Sequence, residues 1–160
     1  MILDVHPSVL DSDLKKISET GDMPRYIRPD KDIYYKNIAL AVSKRSTCLK
    51  RHYGCVIVNN DEIIATGYNG NVRGMMNCCD KGYCTRIDIP HNIGDYSDCY
   101  SVHAEQNAML SASRKDMLGA TLYLSCEEYK DGKWVEVLNP DPCPICERMI
   151  NNAGIKSIVS

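Results

Sequence analysis

The sequence predicts an α/β domain in which a β-sheet is flanked by helices. Segments with helical spacing alternate with short β-branched runs in the order α, β, β, α, β, α, β, which is typical of a layered α/β architecture. A chain of 160 residues suits a single domain. Its apolar fraction of 44% and charged fraction of 25% are ordinary for a globular protein, so neither a disordered nor a fibrous chain is predicted.

The first part of the chain divides into an extension and the start of the domain. Residues 1–29 mix Pro, Asp, Ser and Gly around one short apolar pattern, which indicates an N-terminal extension with one helix. The domain then occupies residues 30–160. Apolar residues recur with helical spacing after this point, and they predict a helix over about 31–47, with Asp30 or Asp32 placed to cap its start.

A hairpin and a long irregular segment follow this helix. The runs 55–58 and 63–66 are apolar and largely β-branched, and the turn residues 59–61 separate them, so a β-hairpin is predicted. Residues 67–100 are rich in Gly, Asn, Asp and Cys and lack sustained periodicity. A loop of this length inside a compact domain needs an internal clamp, which cysteines would supply.

The second half of the chain alternates helices and strands. A helix is predicted over 101–115, with a serine at its start as a cap, and a buried strand over 121–125. The polar segment 127–141 contains Asp-Gly and the single Trp, and it indicates a hairpin-like excursion or a lid. Proline opens a last helix over about 142–152, and 156–159 form the final strand.

Charge and hydropathy exclude several classes of protein. The net charge of -2 argues against a protein whose main work is binding polymeric nucleic acid. One dense basic stretch is either a solvated helix end or a phosphate-facing surface; it comprises Lys44, Arg45, Lys50, Arg51 and His52. No apolar run approaches the ~20 residues that span a bilayer, and no secretory leader is recognisable. We therefore expect a cytoplasmic protein without a membrane partner.

The chain contains nine cysteines, a high and odd number. In a small secreted protein such cysteines would indicate disulfides. A chain without a recognisable leader, and with a core large enough to fold alone, is expected to keep them as thiols or metal ligands.

Two short motifs have the residue types of a catalytic zinc site. His103 opens one predicted helix, and Cys143 and Cys146 lie three residues apart at the start of another. Cysteines at this spacing share a helix face, and the positive helix end favours the thiolates that bind metal. A catalytic zinc takes three protein ligands and keeps a fourth position for water, so one His and two Cys complete the set.

Glu105 follows the first ligand by two residues and is the candidate proton carrier. Zinc lowers the pKa of a bound water from 15.7 to about 7. A nearby carboxylate can take the proton of that water and pass it to the substrate. A Cys-x-x-Cys pair alone would also fit a redox pair or a structural zinc clip. The two motifs together, each at a predicted helix start, favour the arrangement of zinc nucleobase deaminases.

The chain resembles the deoxycytidylate deaminases, within the wider cytidine deaminase fold, over about residues 31–160. The residues that carry the resemblance are Gly67-Tyr68-Asn69-Gly70, His103-Ala104-Glu105-Gln106-Asn107-Ala108, Pro142-Cys143-Pro144-Ile145-Cys146 and Ala153-Gly154-Ile155. The resemblance implies a three-layer fold with a central mixed β-sheet flanked by helices. It also implies hydrolysis of deoxycytidylate (dCMP) to deoxyuridylate (dUMP) and ammonia, which feeds thymidylate synthesis, with Asn69 contacting the sugar.

The same resemblance implies regulation and assembly. Gly70 and Arg114 match positions of an effector site, at which deoxycytidine triphosphate with Mg²⁺ activates and thymidine triphosphate inhibits. A homohexamer accompanies such regulation. For Arg114 the alternative interpretation is an exposed charge at a helix end.

Relatives of this family also hold a second, structural zinc near the long loop. The resemblance assigns it to Cys48, Cys78, Cys84 and Cys99, because four thiolates close a tetrahedral site. Cys79 and His91 are rival ligands, and free thiols are the alternative.

Two other functions remain open from the sequence. One is a related deaminase acting on deoxycytidine triphosphate, a nucleoside or a base in nucleic acid; the other is a zinc-stabilised binding module without turnover. Residues 127–141 interrupt a link that is usually short in the family, so this segment bears on substrate specificity.

Overall fold

The computed structural model describes residues 27–91 and 93–160. The helix predicted in the N-terminal extension therefore lies outside the described residues. Within the described ranges, no helix has the length and apolar character needed to cross a membrane.

The described residues form a mixed sheet with helices on both faces. The helices are α1 Lys31–Ser43, α2 Cys78–Lys81, α3 Ala104–Leu110, α4 Arg114–Met117 and α5 Pro144–Ala153. The strands are β1 Arg51–Asn59, β2 Glu62–Tyr68, β3 Gly70–Asn71, β4 Ser101–Val102, β5 Thr121–Lys130, β6 Lys133–Glu136 and β7 Ser157–Val159. The main sheet has the order β2-β1-β5-β6, and β7 pairs with β5 in parallel while the other pairs are antiparallel. Strands β3 and β4 form a separate antiparallel pair.

Buried side chains alternate between the two faces of the sheet along β1 and β5, so the core has two parts. Val56 and Tyr123 pack with Tyr35 and Ala39 of α1 on one face. The intervening residues point to the other face and form a second cluster with α3 and α5; they include Cys55, Ile57, Leu122 and Leu124. Successive side chains of a strand point in opposite directions, so two buried faces require a helix layer on each side. The predicted three-layer fold is confirmed.

Two glycines allow the helices to approach the sheet closely. A Cβ atom on Gly54 would lie 1.9 Å from the carbonyl oxygen of Ala39 in α1. A Cβ atom on Gly67 would lie 2.3 Å from the carbonyl oxygen of Ala104 in α3. Gly67, at the start of the Gly-Tyr-Asn-Gly motif, therefore fixes the depth at which α3 packs.

Several predicted boundaries differ from the observed ones. The first helix ends at Ser43 instead of residue 47, because Thr47 donates its N–H to the carbonyl of Asn69 and joins the loop before β1. The helix predicted over 101–115 is divided into β4, α3 and α4. Ser101 and the next residue pair with β3, and the hydroxyl of Ser111 donates to a backbone carbonyl where α3 ends, a local bond that competes with helix.

The predicted excursion after the third core strand is a hairpin. Strand β5 continues to Lys130 and turns through Asp131 and Gly132, which have φ values of 49° and 80°. Two successive positive φ values are the geometry of a tight hairpin turn. The last helix begins at Pro144 instead of residue 142, since Cys143 is its N-cap.

Candidate active site

His103 is the N-cap residue of α3 and has extended backbone, with φ -72° and ψ 157°. Its N–H donates to the side-chain oxygen of Gln106 at 3.0 Å, which satisfies a donor that the helix itself leaves free. Asn107 of the same helix donates to the carbonyl of Tyr68 at 2.8 Å and so attaches α3 to the end of β2. The histidine ring is thereby held on a rigid helix start.

Cys143 is the N-cap residue of α5 and has matching extended backbone, with φ -67° and ψ 159°. Its sulfur accepts the backbone N–H of Cys146 at 3.4 Å, so the cap is itself a predicted metal ligand. Pro144 occupies the first helical turn, where its lack of an N–H costs nothing. Cys146, one turn later, is completely buried.

The two helix starts bring the three predicted ligands together. Nδ1 of His103 lies 3.5 Å from Sγ of Cys143 and 3.4 Å from Sγ of Cys146. Tetrahedral zinc, with its usual bond lengths, places nitrogen and sulfur ligands about 3.6 Å apart, so this set fits the metal. Among residues 27–91 and 93–160, this is the single group of three or more His, Cys, Asp or Glu ligand atoms that all lie within 4.8 Å of one another.

The protonation of the site depends on burial and on the close approach of its charges. Burial raises the pKa of the Cys146 thiol above its ordinary value, and the neighbouring Glu105 and Cys143 raise it further. A cation placed among the ligands offsets these effects, because metal binding displaces thiol protons. Glu105 is 3% exposed, and burial raises its pKa, although the charge of His103 and a hydrogen bond with Cys146 act in the opposite direction.

A cavity of about 90 Å³ opens beside the triad. His103, Glu105 and Cys143 line it together with Asn69. The amide oxygen of Asn69 accepts the N–H of Tyr53 at 2.8 Å and the hydroxyl of Ser46 at 2.7 Å, while its nitrogen donates to the carbonyl of Arg51 at 2.9 Å. Asn69 therefore faces the cavity and also fastens the loop before β1 to the end of β2.

Cations line the part of the cavity formed by β1. Lys50 donates to the carbonyls of Arg86 and Ile89, and Arg51 donates to the Tyr53 hydroxyl at 3.3 Å. The predicted basic stretch thus divides: these two residues line the cavity, whereas Lys44 contacts Glu127 outside the cavity lining.

The wall of the cavity includes several residues to which no sequence motif pointed. These are Tyr53, Arg86, Ile89, Pro90, Tyr96, Ser101 and Asp141. His91 also lines it, stacked on Tyr53 with its Nε2 3.1 Å from the hydroxyl. Burial and the nearby cations Arg51 and Lys50 lower the pKa of His91 to about 4, so its ring is neutral near pH 7. Most of these residues belong to the segment without periodicity, where the sequence carries no signal.

Three of the four thiols of the expected second zinc site, Cys48, Cys84 and Cys99, line the same cavity, but no three of the four have sulfur atoms that all lie within 4.8 Å of one another. Burial raises the pKa of Cys78, and the charges of Cys48, Cys84 and Cys99 raise it further. Burial likewise raises the pKa of Cys48, and Cys84 and Cys99 add to the effect. The rival Cys79 is exposed and bonds to Asp80, and the rival His91 contacts Tyr53.

The two residues assigned to the effector site do not line the same groove. Gly70 lines a groove of about 770 Å³ with Arg45, Arg73 and other residues of the loop after β2. Arg114 begins α4 and donates to the carbonyl of Asn152 at 3.4 Å, and it is not among the residues that line this groove.

Comparison with known proteins identifies the family. The family described as "Cytidine and deoxycytidylate deaminase zinc-binding region" matches residues 29–160. Deoxycytidylate deaminase of Schizosaccharomyces pombe is 38% identical over 137 residues, which cover 85% of this chain and 38% of the relative. The deaminase of Mycobacterium phage D29 is 35% identical, and the match covers 82% of this chain and 94% of the relative. The chain spans 38% of the length of the Schizosaccharomyces pombe relative and 39% of the length of deoxycytidylate deaminase of Saccharomyces cerevisiae.

A solved structure has the same fold. The crystal structure of dCMP deaminase from the cyanophage S-TIM5 in apo form aligns with a TM-score of 0.58 at 27% identity, covering 82% of each chain. The same phage enzyme in complex with dCMP and dUMP aligns equally well, at 26% identity. With its matching ligand triad at the starts of α3 and α5, this chain belongs to the cytidine and deoxycytidylate deaminase family.

Proposed function

We propose that the chain catalyses the hydrolysis of dCMP to dUMP and ammonia. The observation that carries this proposal is the buried Glu105 beside His103, Cys143 and Cys146 at the wall of one cavity. A purely structural zinc site has four protein ligands and no need of a buried carboxylate beside it. Relatives named deoxycytidylate deaminase, and a phage relative whose structure contains dCMP and dUMP, support the choice of substrate.

His103, Cys143 and Cys146 would hold the zinc. When bound, zinc supplies Lewis-acid activation of a water molecule at neutral pH. The chain's own contribution to the proton transfers is Glu105. Its carboxylate accepts a proton as water attacks C4 of the cytosine ring and delivers that proton to the ring nitrogen N3. It then takes the proton of the new C4 hydroxyl and passes it to the amino group, so that the C4 carbonyl forms as ammonia leaves. The reaction consumes one water and needs no other reactant.

Contacts for a nucleotide are present in the same cavity. Asn69 lines the cavity and donates one N–H of its amide to the Arg51 carbonyl, and the second N–H of the same amide is suited to the deoxyribose hydroxyl. Lys50 and Arg51 place positive charge in the wall, which suits a phosphate. These contacts favour a free nucleotide over an unphosphorylated nucleoside.

The substrate and the mechanism are tested by one set of assays. Loss of ultraviolet absorbance on deamination is measured with deoxycytidine, dCMP, deoxycytidine triphosphate and a cytosine-containing oligonucleotide. We expect the highest kcat/KM with dCMP. Glu105→Gln is expected to keep its zinc and its fold and to lose activity by a factor on the order of 10²–10⁴. Equal activity of wild type and Glu105→Gln, or no turnover of any cytosine compound by the zinc-loaded wild type, would overturn the proposal and favour a binding module.

A second zinc held by Cys48, Cys78, Cys84 and Cys99 is part of the proposal. The position of Cys48, Cys84 and Cys99 in the wall of one cavity supports it, and so does the loop of residues 72–100, which contains little regular structure. Two zinc ions per chain are therefore expected in a metal assay, and one in Cys84→Ser. A single zinc in the wild type would remove this site. Thiolate ligands require a reducing compartment, which supports a cytoplasmic location.

Regulation and assembly form the last part of the proposal. The groove at Gly70 is flanked by Arg45 and Arg73, which suits the phosphates of a nucleoside triphosphate with Mg²⁺. Activation by deoxycytidine triphosphate, inhibition by thymidine triphosphate and a homohexamer are expected, and Arg114 is expected to contribute to the effector response. Rate measurements with each effector, and the mass of the assembly by light scattering, test these expectations.

A further inference from the structure

The hairpin of β5 and β6, residues 127–136, lies at the end of the sheet, where β1 pairs with β5 only as far as Glu128. Its strands pair from Glu127 with Glu136 to Lys130 with Lys133, across the two-residue turn. An isolated two-stranded hairpin is marginally stable in water, so an ordered hairpin needs contacts with the rest of the protein. The deaminase chemistry described above assigns no role to it.

Three side chains of the hairpin contact the basic stretch before and within β1. Glu127 pairs with Lys44 at 2.5 Å. Oε1 of Glu128 accepts a hydrogen bond from Nε of Arg51 at 2.9 Å and forms an ion pair with a terminal guanidinium nitrogen, also at 2.9 Å. The Trp134 ring stacks on the His52 ring with 3.6 Å between centroids and 21° between planes. The hairpin therefore contacts Lys44 and the residues at the start of β1.

These contacts continue into the cavity wall. Arg51 lines the cavity, and its guanidinium also donates to the hydroxyl of Tyr53, a second lining residue. Nε2 of His52 lies 2.8 Å from the carbonyl oxygen of Cys48, which lines the cavity as well. Glu128 thus contacts a lining residue directly, and Trp134 is connected to one through His52.

The chain after β6 reaches the cavity from the other side. The N–H of Val137 donates to the carbonyl of Cys126 at 2.9 Å, which keeps the returning strand beside β5. Four residues later Asp141 lines the cavity, two positions before the ligand Cys143. Both ends of the hairpin are therefore connected to the wall of the catalytic cavity.

We propose that the β5–β6 hairpin is a positioning element of the substrate cavity, with Glu128 and Trp134 as its positioning residues. The proposal rests on the proposed function. Glu128 holds the guanidinium of Arg51 in one orientation toward the bound nucleotide, and Trp134 covers His52 and the backbone that leads to Cys48. The side chains of Arg51 and Glu128 are each 19% exposed, so the ion pair is largely desolvated. Without Glu128, the Arg51 guanidinium is no longer held in one orientation.

The variants Trp134→Ala and Glu128→Gln test the proposal through steady-state kinetics on the full, zinc-loaded chain. We expect KM for dCMP to rise about three- to tenfold in each variant, with kcat within about twofold of wild type. A rise of this size corresponds to the loss of one aromatic contact or one hydrogen-bonded charge pair. Zinc content should not change. For Glu128→Gln, KM for deoxycytidine should change less than KM for dCMP, because Arg51 acts on the phosphate.

Matched variants separate positioning from general destabilisation. Trp134→Phe keeps a ring on His52 and should retain KM within about twofold of wild type. Lys133→Ala lies on the same hairpin, and its exposed side chain makes no hydrogen bond or ion pair with the described residues, so its kinetics should equal those of wild type. If Trp134→Ala fails to fold, the kinetics of Glu128→Gln alone test the proposal.

Trp134 also provides a direct readout, because it is the single tryptophan of the chain. Titration of the wild type with dUMP should change its fluorescence saturably, with a Kd that rises in Glu128→Gln. Unchanged KM in the folded variants, or no fluorescence response, would overturn the positioning role. A wild type that does not deaminate dCMP would instead overturn the proposed function, so the two failures are distinguishable.

Discussion

Replacing Gly54 by alanine tests how closely α1 packs on the sheet. The added Cβ would lie 1.9 Å from the carbonyl oxygen of Ala39 and 2.5 Å from the backbone nitrogen of Ser43. Both atoms belong to helix backbone, so no side-chain rotation relieves the overlap. Ordinary contact begins at 3.4 Å, and the helix must therefore move by about 1.5 Å, the difference between 3.4 and 1.9 Å.

A shift of this size reaches the whole α1 face of the core. Tyr35, Ala39, Val56 and Tyr123 are in mutual contact there and almost completely buried. A gap of 0.5–1 Å already loses roughly a quarter to a half of the dispersion energy of a contact. We therefore expect Gly54→Ala to lower the free energy of unfolding by about 3 kcal/mol or more, a large part of the 5–15 kcal/mol typical of a domain.

Urea unfolding of zinc-loaded protein, followed by circular dichroism, measures this loss. Gly74→Ala is the control, since its Cβ would meet no atom within 4 Å and its cost arises from a φ of 88° alone. We expect that control to lose about 1 kcal/mol. A loss below that of Gly74→Ala would refute the packing argument.

Three further predictions concern the metal, a helix cap and alkaline stability. Cys143→Ser should lower both bound zinc and the melting temperature, and a chelator should reproduce the effect in wild type only. Asp30 accepts the N–H of Ile33 at 2.8 Å, so Asp30→Ala should cost about 1 kcal/mol in urea unfolding. Burial, then a hydrogen bond to Asp61, raises the pKa of Tyr35 from 10.0 to about 12. Because the folded pKa is the higher one, this contribution to stability is complete below pH 10 and is lost between pH 10 and 12. Unfolding of Tyr35→Phe should show a smaller fall over that interval.

The metal ligands and the core were predictable because their signals are local. His103 and Cys143 stand at helix starts, and Cys146 follows one turn later, so helix geometry alone places two ligands on one face. Only one tertiary contact, that between α3 and α5, is needed to complete the triad. The short, largely β-branched run 55–58 likewise predicted a strand, although pairing with β5 extends that strand back to Arg51, where the sequence is polar.

The cavity wall could not be predicted because separate segments build it. Arg51 comes from β1, His91 from the irregular loop and Asp141 from the residues after the hairpin. No spacing rule relates positions so far apart in the chain. The same holds for the stacking of Trp134 on His52, which depends on β1 and β5 being neighbours in the sheet.

Gly54 and Gly67 set the positions of two helices that lie on opposite faces of the sheet. Gly54 sets the position of α1, which contributes no residue to the catalytic cavity. Gly67 sets the position of α3, the helix that carries both His103 and Glu105. Since these two residues share one rigid helix, a displacement of α3 moves them together relative to Cys143 on α5. The distance between Glu105 and His103 is therefore preserved within α3, whereas the approach of His103 to the two cysteines depends on how the two helices pack.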